Sequence, residues 1–163
     1  MNNLKTMSKT NIILLAVVAM LCVLCVSSVY APIRFDKERT RRETVVKQRL
    51  MAVRTAAERY RHDHGAYTSS WATLIAERYV ADSLQYIPYS NGKTFRLAAS
   101  AVTTRSGRSV SVMECSATYA DYLEGLDNAA IKRLSTAADN AGRFGGLKIG
   151  DLATDNGNAG NWE

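Results

Sequence analysis

Apolar and polar positions fall into three regimes along this chain. From Ile12 to Val29 no residue is charged and nearly all are apolar. With Tyr30 and Ala31 the run is twenty residues long. A helix rising about 1.5 Å per residue needs about 20 such residues to cross a hydrocarbon core about 30 Å thick. In lipid every backbone N–H and C=O has to be paired within the segment, which favours a helix. The pattern predicts a tail over 1–11 and a transmembrane helix over 12–31, with Tyr30 as an interfacial aromatic. A secretory signal would use Lys5 and Lys9 as its basic start and Val29-Tyr30-Ala31 as its cleavage site. Pro32 would then follow the cut, and the run exceeds a signal core, so a retained anchor is the expectation.

Beyond Pro32 the period changes. A charged run from Arg34 to Glu43 precedes Val46, Leu50, Val53, Ala57 and Tyr60, spaced four, three, four and three. That is the stripe of an amphipathic helix, widened by Val45, Met51 and Ala56. Gly65 reads as its C′ residue, so a long helix is expected from Pro32 to His64, bent at Pro32 if it continues the anchor. A short second helix carries Trp71, Leu74, Ile75 and Tyr79, capped by Thr68, Ser69 or Ser70, and ends near Val80 to Asp82.

The third regime alternates. Leu84 to Tyr89 contains Pro88 and is at most an edge strand. Asn91-Gly92 is a hairpin signal. Thr94 to Thr103 puts Phe95, Leu97, Ala99 and Ala101 on one face. A turn at Arg105 to Arg108 leads to a strand from Ser109 to Ala117, giving an antiparallel meander of about three strands. A further helix fits Asp127 to Asn140, with Asp127 or Asn128 as cap, Gly142 as stop, and Ile131, Leu134 and Ala138 as stripe. Leu147 to Ile149 is a last short strand, and residues 150–163 are loop chemistry. The expected fold class is α+β: an N-terminal transmembrane helix, a long amphipathic helix packed on a small antiparallel sheet, and two shorter helices. Residues 32–163 form one domain with a modest core.

Charge adds little to this picture. The formal net charge of +6 is concentrated between Arg34 and Arg61. It reads as a solvated helix face touching anionic lipid heads. Nucleic-acid binding would need a basic patch with aromatics or a known motif, and neither is present. A strict count of Arg34, Lys37, Arg39, Arg41 and Arg42 would hold the C-terminal domain in the cytoplasm, although long domains translocate largely regardless of flanking charge.

Chemistry is sparse. Cys115 is alone in the domain and reads as a small buried hydrophobe, with no partner for an intradomain disulfide. His62 and His64 flank Asp63, but positions two apart face different ways on a helix, and both favour a helix C-terminus. No nucleophile triad, P-loop or glycine-rich nucleotide turn is present. No catalytic, cofactor-binding or metal-binding residue is therefore assigned, and an enzyme is not expected. In the tail, Asp151, Asp155, Asn156, Asn158 and Asn161 offer hard oxygens of the kind calcium takes six to eight at a time. The favoured reading is a set of Asn/Asp turns with Trp162 packing the chain end onto the domain, and calcium is the alternative.

The order anchor, amphipathic helix, small antiparallel sheet is similar to the type IV pilins and the pseudopilins of type II secretion. Ala56-Ala57-Glu58-Arg59-Tyr60-Arg61-His62-Asp63-His64-Gly65-Ala66-Tyr67 resembles the helix end of the major pseudopilin, with its alanine, tyrosine and Gly-x-Tyr. Trp71 to Leu74 stands where that family starts its next helix. Asn158-Ala159-Gly160-Asn161-Trp162 resembles its Asn-Trp ending, after a loop that in the family holds calcium. The apolar run opens Thr10-Asn11-Ile12-Ile13-Leu14-Leu15, where the family carries a glycine-phenylalanine peptidase site and a glutamate. The resemblance implies a non-enzymatic, single-pass subunit of a pseudopilus-like envelope assembly. Its partners would be the lipid bilayer and protein subunits, its own copies included, at the bacterial inner membrane with the domain outside the cytoplasm. The alternative is a membrane-tethered periplasmic adaptor that does not polymerise.

Overall fold

The structure, a computed structural model, describes residues 9–103 and 107–163, without the side chains of residues 9, 10, 26–29 and 31. The chain divides into two units, Met1–Glu38 and Arg39–Glu163. The first helix, α1, runs Lys9–His64 with Pro32 inside it.

Among the described residues no helix is long and apolar enough to cross a membrane. This overturns the expected transmembrane helix over 12–31 and the fold description that included it. The cleavage-site reading at Val29-Tyr30-Ala31 and the turn at Arg105 and Ser106 fall on positions outside the described residues or side chains.

In the second unit the predicted stripe is buried. Val46, Leu50 and Val53 have no exposed surface, and Ala56 and Ala57 almost none. Burying each large aliphatic side chain is worth about 1.5–3 kcal/mol, which holds this part of α1 to the domain more firmly than propensity does. Met51, read as widening the stripe, is instead exposed. α1 ends where Gly65 takes a φ of 79° and its N–H reaches Arg61 O at 2.8 Å.

Helix α2, Trp71–Ala76, starts at Ser70, whose hydroxyl accepts from the Thr73 N–H at 3.2 Å. It stops earlier than expected, as Arg78 turns left-handed. Ala56, Leu74 and Val80 form a buried cluster with Trp71, Ile75, Tyr79 and Leu97 against it. The edge strand expected at Leu84 to Tyr89 is reduced to a 3-10 turn, Asp82–Gln85, and a single bridge between Tyr86 and Thr94. Pro88 has no N–H to extend the pairing.

The sheet has the order β1-β2-β3, all antiparallel: β1 Arg96–Thr103, β2 Ser109–Thr118 and β3 Gly146–Gly150. Its third strand is thus the late segment Gly146–Gly150, not the early one. Leu97, Cys115 and Ile149 share one row across the three strands, and Cys115 and Ile149 are fully buried. Two helices, not one, lie between β2 and β3. Helix α3, Tyr119–Tyr122, was not anticipated; a capping box of Thr118 and Asp121 starts it. Helix α4, Asn128–Asn140, begins at Asp127, which accepts from Ala129 N–H, and buries Ile131 and Ala138. Gly142 (φ 62°) donates to Asp139 O and Arg143 to Ala138 O, the paired bonds of a Schellman stop.

Candidate functional site

Two surfaces of α1 stand out, one in each unit. In the first unit every large apolar side chain from Ile12 to Leu24 is between 49% and 67% exposed. Exposed contiguous apolar surface of this length is the kind of feature that serves as an interaction face. Leu15, Val18, Cys22 and Cys25 are spaced three, four and three, so they share one side of the helix.

In the second unit three arginines of α1 act as fasteners. Arg42 donates to the carbonyls of Tyr122 (3.2 Å) and Glu124 (2.9 Å). Arg49 donates to Ser83 O (3.1 Å) and Tyr86 O (2.6 Å). Arg54 donates to Gly157 O at 3.1 Å and pairs with Glu58 and Glu163. Three separate loops are thereby tied to one helix. A guanidinium suits this role because its fork carries five N–H donors and keeps its charge at every physiological pH. Sequence reasoning missed the pattern because a backbone carbonyl leaves no trace in residue type.

The tail is fixed along the free side of β3. Gly150 N–H donates to Ala159 O at 3.1 Å, and Ile149 pairs with Gly160. Asn161 acts as a strand mimic: its Oδ1 accepts from Lys148 N–H and its Nδ2 donates to Gly146 O. Asn158, left-handed at φ 56°, is buried and donates to the Tyr67 hydroxyl at 2.6 Å and to Glu58 at 3.2 Å. The Trp162 ring lies under the Lys47 ammonium, 5.5 Å away. Among the described residues the outer edge of β1 carries no further strand.

The oxygens considered for calcium are spread through this arrangement. Asp151 Oδ1 accepts from the N–H groups of Ala153 (2.7 Å) and Thr154 (3.3 Å). Its Oδ2 faces the Lys148 ammonium at 3.2 Å. Asp155 Oδ1 accepts from Gly157 N–H, and the side-chain nitrogen of Asn156 donates to Ala159 O. Lys148 also reaches Glu114 at 2.9 Å, so an ammonium already sits between the two carboxylates. The Ala153 N–H, and then Lys148, hold the Asp151 carboxyl below its usual range. Burial works to lower the Lys148 pKa, but Glu114 and Asp151 outweigh it, and the net shift is upward. Among the described residues no three His, Cys, Asp or Glu side chains are gathered as metal ligands. Asp151 and Asp155 each have an oxygen engaged in a local turn, and Asp151 also faces Lys148.

The histidines part company. His62 is solvent-exposed beside Asp63. His64 stacks on Tyr60 with ring centres 4.1 Å apart and meets Glu77 at 3.1 Å. Asp63 accepts a 2.6 Å bond from the Tyr79 hydroxyl, which ties the end of α1 to the segment after α2. Cys115 is fully buried in β2, and burial pushes its thiol far up. It lacks the exposure and thiolate character of a nucleophile.

Comparison with known protein families, with curated proteins and with solved structures finds no match to this chain.

Proposed function

We propose that this protein is a non-enzymatic structural subunit of an envelope-associated assembly, of the pseudopilin-like kind. The carrying observation is the uncovered apolar side of α1 from Ile12 to Leu24 in a chain whose Arg39–Glu163 unit is internally well tied. Leu15, Val18, Cys22 and Cys25 repeat at the spacing of a helix seam, so the mechanism is lateral packing of this segment against neighbouring helices. The resemblance at Ala56 to Tyr67 and at Asn158 to Trp162 supports the same reading. It is also the ground for an extracytoplasmic setting and for the chain's own copies as partners.

Cys22 and Cys25 lie on the packing face and are exposed, so they serve as native reporters. In cells, a short thiol–thiol crosslinker is expected to give a ladder of regularly spaced masses that a Cys22→Ser, Cys25→Ser chain does not give. Monomer alone would contradict the proposal. A second reading, an adaptor that never polymerises, is favoured by Thr10-Asn11-Ile12 standing where the family carries its glutamate. It predicts one discrete hetero-complex in the same experiment.

A further inference from the structure

A groove of about 510 Å³ lies between the Arg39-to-Lys47 part of α1, helix α4 and β3. This is the size of a small-molecule site. Leu134, Phe144, Leu147 and Trp162 give it an apolar and aromatic lining, and four cationic side chains share it with one carboxylate, Glu43. Two of these cations are already balanced. Arg39 binds Glu43 at 2.7 Å, and Lys148 binds Glu114 and Asp151. The other two are not: among the described residues Lys47 meets only the Trp162 ring, and Arg143 has no carboxylate partner. Tyr119 also lines this groove, and its hydroxyl has no hydrogen-bond partner among the described residues. Two cations without a carboxylate partner and a tyrosine hydroxyl thus belong to residues that border an apolar lining.

We infer that this groove binds a small amphipathic anion: a carboxylate or phosphate joined to a flat apolar body. The charge would be met by Lys47, Arg143 and Tyr119, since charge-assisted bonds to an anion are the strong ones. The apolar body would lie against Trp162 and the Leu134–Leu147 side. Asn161 is not a ligand contact, because both ends of its amide are used in holding the tail to β3. A neutral apolar molecule would leave the two cations unanswered. Inorganic phosphate alone would forgo the lining. Both parts of the ligand are therefore required.

The test uses the full chain in detergent, with 1-naphthyl phosphate as probe and 1-naphthol and inorganic phosphate as controls. Amide and indole N–H resonances are followed by NMR. Saturable shifts are expected at the Trp162 indole and at Arg143 and Phe144 with naphthyl phosphate, with affinity at least about tenfold above either control. Lys47→Ala with Arg143→Ala is expected to lose about tenfold or more in affinity, a charge-assisted contact being worth that much. Lys47→Arg is expected to retain binding. Both residues are at the surface, and an unchanged melting temperature separates lost binding from lost folding. Equal binding of naphthol, or full binding by the double alanine variant, overturns the inference. So do shifts that avoid Trp162.

Discussion

Cys115 occupies the central strand with no exposed surface, and burial pushes its thiol well above the ordinary range. Native protein is expected to show no reaction at Cys115 with a disulfide reagent, and reaction is expected only on unfolding. A Cys22→Ser, Cys25→Ser chain isolates the signal, and prompt labelling in native buffer would contradict the packing described. Asp63 and Tyr79 give a second residue-level test. The Tyr79 hydroxyl bond, with His62 beside it, lowers the Asp63 pKa, and the same bond raises that of Tyr79 to about 12. For Asp63 the stabilisation is full above its unfolded value, about 4, and is lost as pH falls through the lower folded value. For Tyr79 it is full below about 10 and is lost as pH rises through the folded value. An ultraviolet titration should show Tyr79 ionising late, and Asp63→Asn should return one tyrosine toward about 10. Tyr122, also shifted up by its burial, should not move in that variant.

Among the elements, the arginine fasteners carry the clearest expectation. Arg42→Ala frees the carbonyls of Tyr122 and Glu124 and should cost about 1–3 kcal/mol in urea unfolding, whereas exposed Arg59→Ala should stay within about 0.5 kcal/mol. Equal effects would return the basic face to the solvated role suggested by its composition. The elements legible in sequence are those with long, periodic or capped signals. The stripe Val46–Leu50–Val53–Ala57, the stop at Gly65, the strand from Ser109 and the Asp127-to-Gly142 helix all carry such signals. β3 was placed as a last short strand, but its pairing with β2 was not legible. Five residues with glycine at both ends carry only the alternating triplet Leu147-Lys148-Ile149, too short to set a register. Helix α3 is four residues long and has only its capping box as a sign. Leu84 to Tyr89 had strand-like composition, but Pro88 left it a single bridge. The groove beside Trp162 was invisible because its lining comes from segments more than a hundred residues apart in the chain.

At the scale of the whole molecule, one helix carries two different surfaces. From Arg39 onward α1 is covered by its own domain; from Ile12 to Leu24 its side chains are exposed. The expected membrane crossing is not borne by any described helix, so the claim tested is packing of this segment against protein. The most direct measurement compares crosslinked ladders from the native chain with those from Leu15→Asp combined with Val18→Asp, with Cys22 and Cys25 left in place. Leu15 and Val18 belong to the first unit and are exposed, and thermal unfolding of Arg39–Glu163 serves as the control. The ladder is expected to collapse to monomer while the domain unfolds at an unchanged temperature. An undiminished ladder from the doubly substituted chain would contradict it.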